Sequence, residues 1–260
     1  MTTRGESRRR LLAGVGFALL ASLTGCAEVV SGISRRASDA EEARFRAWLE
    51  SQPSVAAIES IMSGNYEGDV WARATVRLTQ LAVAPLTEVS TGFFAEAGRS
   101  HWTLSVRDRI SPVFDSRDDP ARATSMADTW AALSSRPGIA SGRLSASRFQ
   151  LVAGSDPIIE GLSLVRQPWA GGYEFTIDTA QSATVQRTFS FTPGTIDDPT
   201  VAELTELAQS LDAGLRLRLT SGTQSGSLTV TVADADRAAA EGLVDSLACR
   251  DRFTVSYVER

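Results

Sequence analysis

The alternation that decides the fold is clearest at Val70–Thr79, where the sequence reads VWARATVRLT. Every second side chain, from Val70 to Leu78, is small or apolar, and the side chains between them are Trp, Arg or Thr. A period of two places one set on each face of a β-strand, so this segment predicts a strand with one buried and one polar face. The same alternation recurs at Leu215–Leu219 (LRLRL) and Leu228–Val232 (LTVTV).

Helices are predicted between such strands by apolar residues at helical spacing. Phe45, Trp48 and Leu49 share one helix face. Asp-Asp-Pro runs at 118–120 and 197–199 each place an Asp to cap a helix and a Pro at its first position. Helices that are apolar on one stripe only can cover one sheet face. The sequence therefore predicts an α+β fold of two-layer sandwiches, whose largely antiparallel sheets are covered by helices on one face.

A repeat divides the chain into three predicted units. Leu49–Ala56 (LESQPSVA) and Leu133–Ala140 (LSSRPGIA) share a pattern that closes a helix and opens a strand. With the two Asp-Asp-Pro runs, this echo predicts the order helix, strand, strand, helix, strand (αββαβ) over residues 39–110, 117–180 and 183–260. The third unit has an extra strand at 183–192. Whether the units share one sheet stays open at this point.

The element order of these units resembles that of the BON domain, a small module of exported bacterial proteins. With its extra strand, the third unit also resembles a ferredoxin-like fold. Both likenesses are in topology only, because the glycine-centred pattern expected of a BON domain is not clearly present. The BON resemblance implies binding to phospholipid or another envelope component.

The first 25 residues form a predicted export signal. A basic segment is followed by an apolar run at Leu11–Leu23, which is shorter than the roughly 20 residues of a membrane-spanning helix. The next residues, Leu23-Thr24-Gly25-Cys26, resemble the lipobox of bacterial lipoproteins. The resemblance implies cleavage between Gly25 and Cys26, lipidation of Cys26, and a short tether over residues 26–38 that holds the protein on the extracytoplasmic face of the cell membrane. An ordinary signal peptide with an incidental cysteine is the alternative.

The export route stays open. Ser7–Leu12 (SRRRLL) resembles a twin-arginine signal, which would carry the protein out already folded. A simple basic segment of the general secretory (Sec) route fits the same residues.

The charge balance argues against nucleic acid as a partner. Residues 1–25 hold four of the 26 basic and one of the 31 acidic residues, so the remainder carries 22 against 30 and a formal net charge of −8. Nucleic-acid binders gain most of their affinity from a basic surface that neutralises phosphates. Every basic side chain is Arg, a planar fork that suits carboxylate and phosphate groups.

The local sequence indicates no catalytic residue, no metal site and no cofactor. The one histidine, His101, has no nucleophile motif with it and is interpreted as a surface residue. Beyond the lipobox, the one remaining cysteine is Cys249, which is predicted to be a buried, inert thiol. A pair of carboxylates for hydrolysis is not singled out by local sequence, since its spacing exists only in three dimensions.

The polar face of the predicted sheet is the remaining candidate site. Its arginines, interleaved with threonines, could present guanidinium groups to phosphate or carboxylate groups of a ligand: Arg73, Arg77, Arg107, Arg216 and Arg218. An ordinary solvated sheet face is the alternative. We therefore expect a non-catalytic module that binds an envelope component or a protein partner. An envelope hydrolase with a carboxylate-based site and a structural scaffold that self-associates are the alternatives.

Overall fold

The computed structural model describes residues 35–66, 68–98, 100–180, 185–194, 196–220 and 225–259. The signal segment, the lipobox with Gly25 and Cys26, and most of the predicted tether lie outside these residues. The first described helix, α1, covers residues 35–51, so the last four residues of the predicted tether belong to it. Nothing in residues 35–38 (RRAS) breaks a helix, which explains its earlier start.

The described residues form six helices and eleven strands. After α1, the helices are α2 (Val83–Ala97), α3 (Pro120–Ser134), α4 (Pro157–Leu164), α5 (Asp198–Ser210) and α6 (Arg237–Asp245). The strands are β1 (Val55–Tyr66), β2 (Asp69–Leu78), β3 (His101–Val106), β4 (Ile110–Asp115), β5 (Ile139–Leu144), β6 (Arg148–Ala153), β7 (Glu174–Thr179), β8 (Arg187–Phe191), β9 (Gly214–Thr220), β10 (Ser225–Val232) and β11 (Phe253–Glu259).

All eleven strands belong to one mixed sheet, in which they lie in the order of the chain. The pairing alternates from strand to strand: β1 and β2 are antiparallel, β2 and β3 are parallel, and so on to the parallel pair of β10 and β11. Each parallel pair is joined through one helix, because parallel neighbours need a crossover connection. The antiparallel neighbours are separated in the chain by only two to seven residues.

Burial follows the alternation of the sequence. In β2, Ala72, Ala74, Val76 and Leu78 are buried, whereas Arg73 and Arg77 are exposed. The buried strand residues and the apolar stripes of the helices form one continuous core that runs from Phe45 to Phe253. Its aromatic contacts include Phe45 stacked on Trp102, with ring centroids 4.3 Å apart.

Aspartates cap three of the helices. Asp119, Asp156 and Asp197 each precede a helix with Pro at its first or second position, and each carboxylate accepts a backbone N–H of the first turn. These N–H groups have no partner inside the helix, so the carboxylate stabilises each start. The Asp-Asp-Pro runs therefore mark the starts of α3 and α5.

The prediction of three αββαβ units is not supported. Strand β4 was not predicted. With β4 included, the chain repeats one helix followed by two strands, from α1 to β10, and ends with α6 and β11. The sheet is not largely antiparallel either, since parallel and antiparallel pairs are equal in number. The sequence of β4 (ISPVFD) does not alternate between apolar and polar residues, because Pro112, Val113 and Phe114 are buried in succession. The strand predicted at 183–192 is β8.

Candidate functional site

The candidate site lies on the sheet face opposite the core, which we call the open face. Its side chains are those that alternate with the buried strand residues, and most of them are Arg, Thr, Ser or Asp. Strand pairing brings them into rows across the sheet: Arg73 lies beside Thr103, and Arg218 lies between Ser190 and Ser227. Two grooves of about 540 Å³ each lie on this face.

The five predicted arginines are distributed over both ends of this face. Arg73 lines the first groove, and Arg216 and Arg218 line the second. Arg77 and Arg107 line neither of these two grooves, and Arg107 is held by Glu59 at 2.8 Å. Seven strand spacings of about 4.8 Å separate β2 from β9, or about 34 Å. The five residues therefore do not form one site.

The first groove, over β1–β5, has a mixed charge. Arg73 and Arg143 line it together with Asp115, Asp118 and several hydroxyl groups: Ser60, Thr75, Thr103, Ser105 and Ser145. Arg73 also lies over the Trp71 ring, with its guanidinium carbon 5.0 Å from the ring centroid. With two basic and two acidic side chains, this groove has no net charge.

The two aspartates of the first groove differ in protonation behaviour. Burial raises the pKa of Asp115, but hydrogen bonds from Arg117 at 2.9 and 3.0 Å and the nearby positive charge together outweigh it and leave the pKa below its ordinary value. Burial and the nearby Asp115 charge raise the pKa of Asp118 above its ordinary value. Opposite environments of this kind separate an ionised from a more easily protonated carboxyl group.

The histidine side chain lies beside Asp115, one of these two aspartates, rather than alone on the surface. The His101 Nε2 atom is 3.7 Å from the Asp115 Oδ2 atom, and about a quarter of the His101 side chain is exposed. No hydrogen bond joins His101 to a serine, threonine or cysteine among the described residues. Activation of a hydroxyl or thiol nucleophile by this histidine would need such a hydrogen bond.

The second groove, over β6–β10, is more basic. Arg148, Arg216 and Arg218 line it with Glu174 and Asp178, and hydroxyl groups fill the positions between them: Thr176, Thr188, Ser190, Thr192, Ser227 and Thr229. Arg148 forms an ion pair with Glu174 at 3.4 Å, and Thr188 donates a hydrogen bond to Asp178 at 2.7 Å.

Arginines without an acidic partner are concentrated on the open face. Most arginines elsewhere in the described residues are paired with a carboxylate or with backbone carbonyls. On the open face, five form no ion pair with any described residue: Arg73, Arg77, Arg143, Arg216 and Arg218. Charged groups left in this state remain available to an anionic ligand.

Arg143 and the two aspartates of the first groove were not predicted from the sequence. The alternation around Arg143 is interrupted by Gly142, whose missing side chain accommodates Leu151 of the neighbouring strand. Asp115 and Asp118 belong to β4 and its following turn, so they could be placed on the open face only after β4 was recognised. Pairing across β3 and β4 then puts Asp115 beside Thr103.

Cys249 is a buried free thiol, as predicted. Burial raises its pKa to about 12, and the adjacent Glu203 carboxylate adds to this shift. In the part of the chain that the structure describes, no group of three or more His, Cys, Asp or Glu residues could hold a metal ion. Among the same residues, no helix has the length and apolar character needed to cross a membrane.

Comparisons of the chain with protein-family models, with curated proteins and with solved structures gave no match. The geometry and charge of the open face are therefore the basis on which a function can be assigned.

Proposed function

We propose that this chain is a lipid-anchored, extracytoplasmic binding module that holds an envelope component or a partner protein on the open face of its sheet. The observation that supports it best is the set of five arginines without an acidic partner, four of which line the two grooves. In a chain with more acidic than basic residues, unpaired guanidinium groups collected on one uncovered face favour an anionic ligand.

The test is sedimentation of lipid-free residues 27–260 with a purified envelope fraction from the producing bacterium, because a lipid anchor would itself carry the chain down with membranes. Two double variants each remove two open-face charges, R73Q/R143Q from the first groove and R216Q/R218Q from the second. R35Q/R36Q, which removes two exposed charges from α1, is the matched control. We expect at least one open-face variant to lose sedimentation while the control keeps it. Retention by both open-face variants would contradict the proposal.

The anchor is tested separately. We expect the mature chain to begin at Cys26 and to incorporate a labelled fatty acid, and Cys26→Ser to release the protein from membranes. Stable anchoring requires two lipid signals, which a diacylated and further acylated cysteine would supply. An unlabelled chain cut at another residue would favour the ordinary signal peptide.

An envelope hydrolase is the second candidate, and the acidic pair of the first groove favours it. Hydrolysis of a glycosidic bond needs one protonated and one ionised carboxyl group, roles for which Asp118 and Asp115 are suited in that order. The candidate predicts release of reducing ends from envelope polysaccharide by the chain and its loss in Asp118→Asn. Absence of release by the unmodified chain would contradict the hydrolase candidate.

The scaffold alternative also stays a prediction, to be tested by the mass of the lipid-free protein in solution.

A further inference from the structure

The arginines of the second groove stand in two matching rows. Arg216 and Arg218 are two residues apart on β9, so their Cα atoms are about 7 Å apart. In one row Arg216 lies between Thr188 and Thr229, and in the other Arg218 lies between Ser190 and Ser227. Each row therefore offers one guanidinium group with a hydroxyl group on either side.

The charges around these rows set the direction in which a ligand can lie. Toward β6, Arg148 is neutralised by Glu174, and Asp178 carries a negative charge two strands from Arg216. Toward β10 and β11 the neighbouring groups are hydroxyls, with Thr229 and Ser256 in contact at 3.0 Å. An anion is repelled from the β7 side, so its negative groups follow β9 from Arg216 to Arg218.

We infer that the second groove binds a linear polyol phosphate, a phosphodiester polymer without bases, through two successive phosphate groups held by Arg216 and Arg218. A phosphodiester group offers two unesterified oxygens, which can accept hydrogen bonds from a planar guanidinium group and from a flanking hydroxyl. Because Thr188 donates its one proton to Asp178, Thr229 is the flanking donor of the first row. Successive phosphates along such a polymer have a spacing comparable to that of the two rows, so one chain can occupy both. This inference rests on the proposed function and names the ligand class for one of its two grooves.

The test measures binding of synthetic poly(glycerol phosphate) to the full chain in a non-ionic detergent, by calorimetry at low and moderate salt. We expect saturable binding that weakens as salt rises. Inorganic phosphate should bind far more weakly, because a single anion engages only one row. In the polymer, binding of the first phosphate raises the effective concentration of the next phosphate at the second row.

Variants locate the site. R216Q/R218Q should weaken binding by about tenfold or more, and R216K/R218K, which keeps the charge without the fork, should fall between it and the unmodified chain. R35Q/R36Q, whose arginines lie on α1 away from the open face, should bind as the unmodified chain does. All the substituted arginine side chains are exposed, so we expect the substitutions to leave the fold intact. An unchanged thermal unfolding midpoint checks this for each variant.

Several outcomes would overturn the inference. These are no binding by the unmodified chain, full binding by R216Q/R218Q, or equal loss in R35Q/R36Q. Equally tight binding of poly-L-glutamate would show that charge alone is recognised. Binding of phosphatidylglycerol vesicles or of a single-stranded oligonucleotide in preference to the polymer would replace it with a membrane surface or a nucleic acid. If R73Q/R143Q alone loses envelope sedimentation, the proposed function stands and this inference fails.

Discussion

Asp197 shows how one side chain connects helix capping to the pH dependence of stability. Its carboxylate accepts the Thr200 backbone N–H at 2.8 Å and contacts the Arg252 guanidinium at 2.5 Å. Hydrogen bonds from Thr200 and Arg252 lower the pKa of Asp197 to about 2. A carboxyl group with a lowered pKa in the folded state stabilises the protein above its unfolded pKa of about 3.9, and this contribution is lost as pH falls toward about 2.

We therefore expect Asp197→Asn to lose less stability than the unmodified chain between about pH 5 and pH 2. Asparagine still caps the helix, so the two proteins differ mainly in the titration at this position. Urea unfolding at a series of pH values measures the difference. Asp198→Asn removes the neighbouring, largely exposed carboxylate, which lies 3.3 Å from Arg166, and is the comparison for the loss of one charge at this helix start. Parallel profiles for all three proteins would show that Asp197 has no part in acid destabilisation.

Cys249 should be chemically inert in the folded protein. Burial and the Glu203 carboxylate raise the pKa of its thiol to about 12, so almost no thiolate is present at neutral pH. In residues 27–260, where it is the one cysteine, we expect no alkylation by iodoacetamide at about pH 8 and full alkylation in urea. Rapid modification of the folded protein would contradict this interpretation and point to a reactive site.

Two helical glycines give a matched comparison of packing against helix propensity. Gly161 of α4 lies against the Phe189 ring of β8, so an added methyl group would overlap it, whereas Gly242 of α6 has no atom nearby. Gly161→Ala should lower the free energy of unfolding by about 1–3 kcal/mol through overpacking. Gly242→Ala should raise it by up to about 1 kcal/mol, because alanine favours the helix. Urea unfolding measures both, and stabilisation by Gly161→Ala would show that α4 can shift from β8.

Most elements could be predicted from sequence because their patterns are local. The alternation of β2 and β9 and the Asp-Pro starts of α3 and α5 require no knowledge of the rest of the chain. β4 could not be found in this way, since consecutive buried residues and Pro112 conceal its period. Its omission changed the apparent repeat from one helix with two strands to the longer αββαβ unit.

The candidate site was only partly predictable for a similar reason. The alternating pattern places Arg73, Arg216 and Arg218 on a polar face, and the structure agrees. A pattern within one strand cannot state which strands are neighbours or how far apart two arginines lie. The division of the face into a mixed groove and a more basic groove follows from strand order, which depends on contacts between distant parts of the chain.

At the scale of the whole molecule, strand order makes each part dependent on its neighbours. Every strand between β1 and β11 pairs with the strands before and after it in the chain, and helices also pack on their neighbours in the chain, α2 on α3 and α4 on α5. Such a quasi-one-dimensional arrangement has no boundary at which the core stops. The predicted boundary between the second and third units falls between β7 and β8, which form an antiparallel pair.

Residues 183–260 should therefore fail to fold as stably alone as they do in the chain. Separation exposes Phe189 and Phe191 of β8, which are buried against Phe175 of β7, with the rings of Phe175 and Phe191 4.9 Å apart. It also removes the contact of Arg187 with Asp156. We expect a lower thermal midpoint, or no cooperative transition, for this fragment by circular dichroism. The control is the intact chain cleaved at a protease site inserted between β7 and β8, whose halves should stay paired and melt near the uncut protein. A separated fragment that melts at the same temperature as the uncut chain would establish an independent domain, because the β7–β8 contacts would then add nothing to its stability.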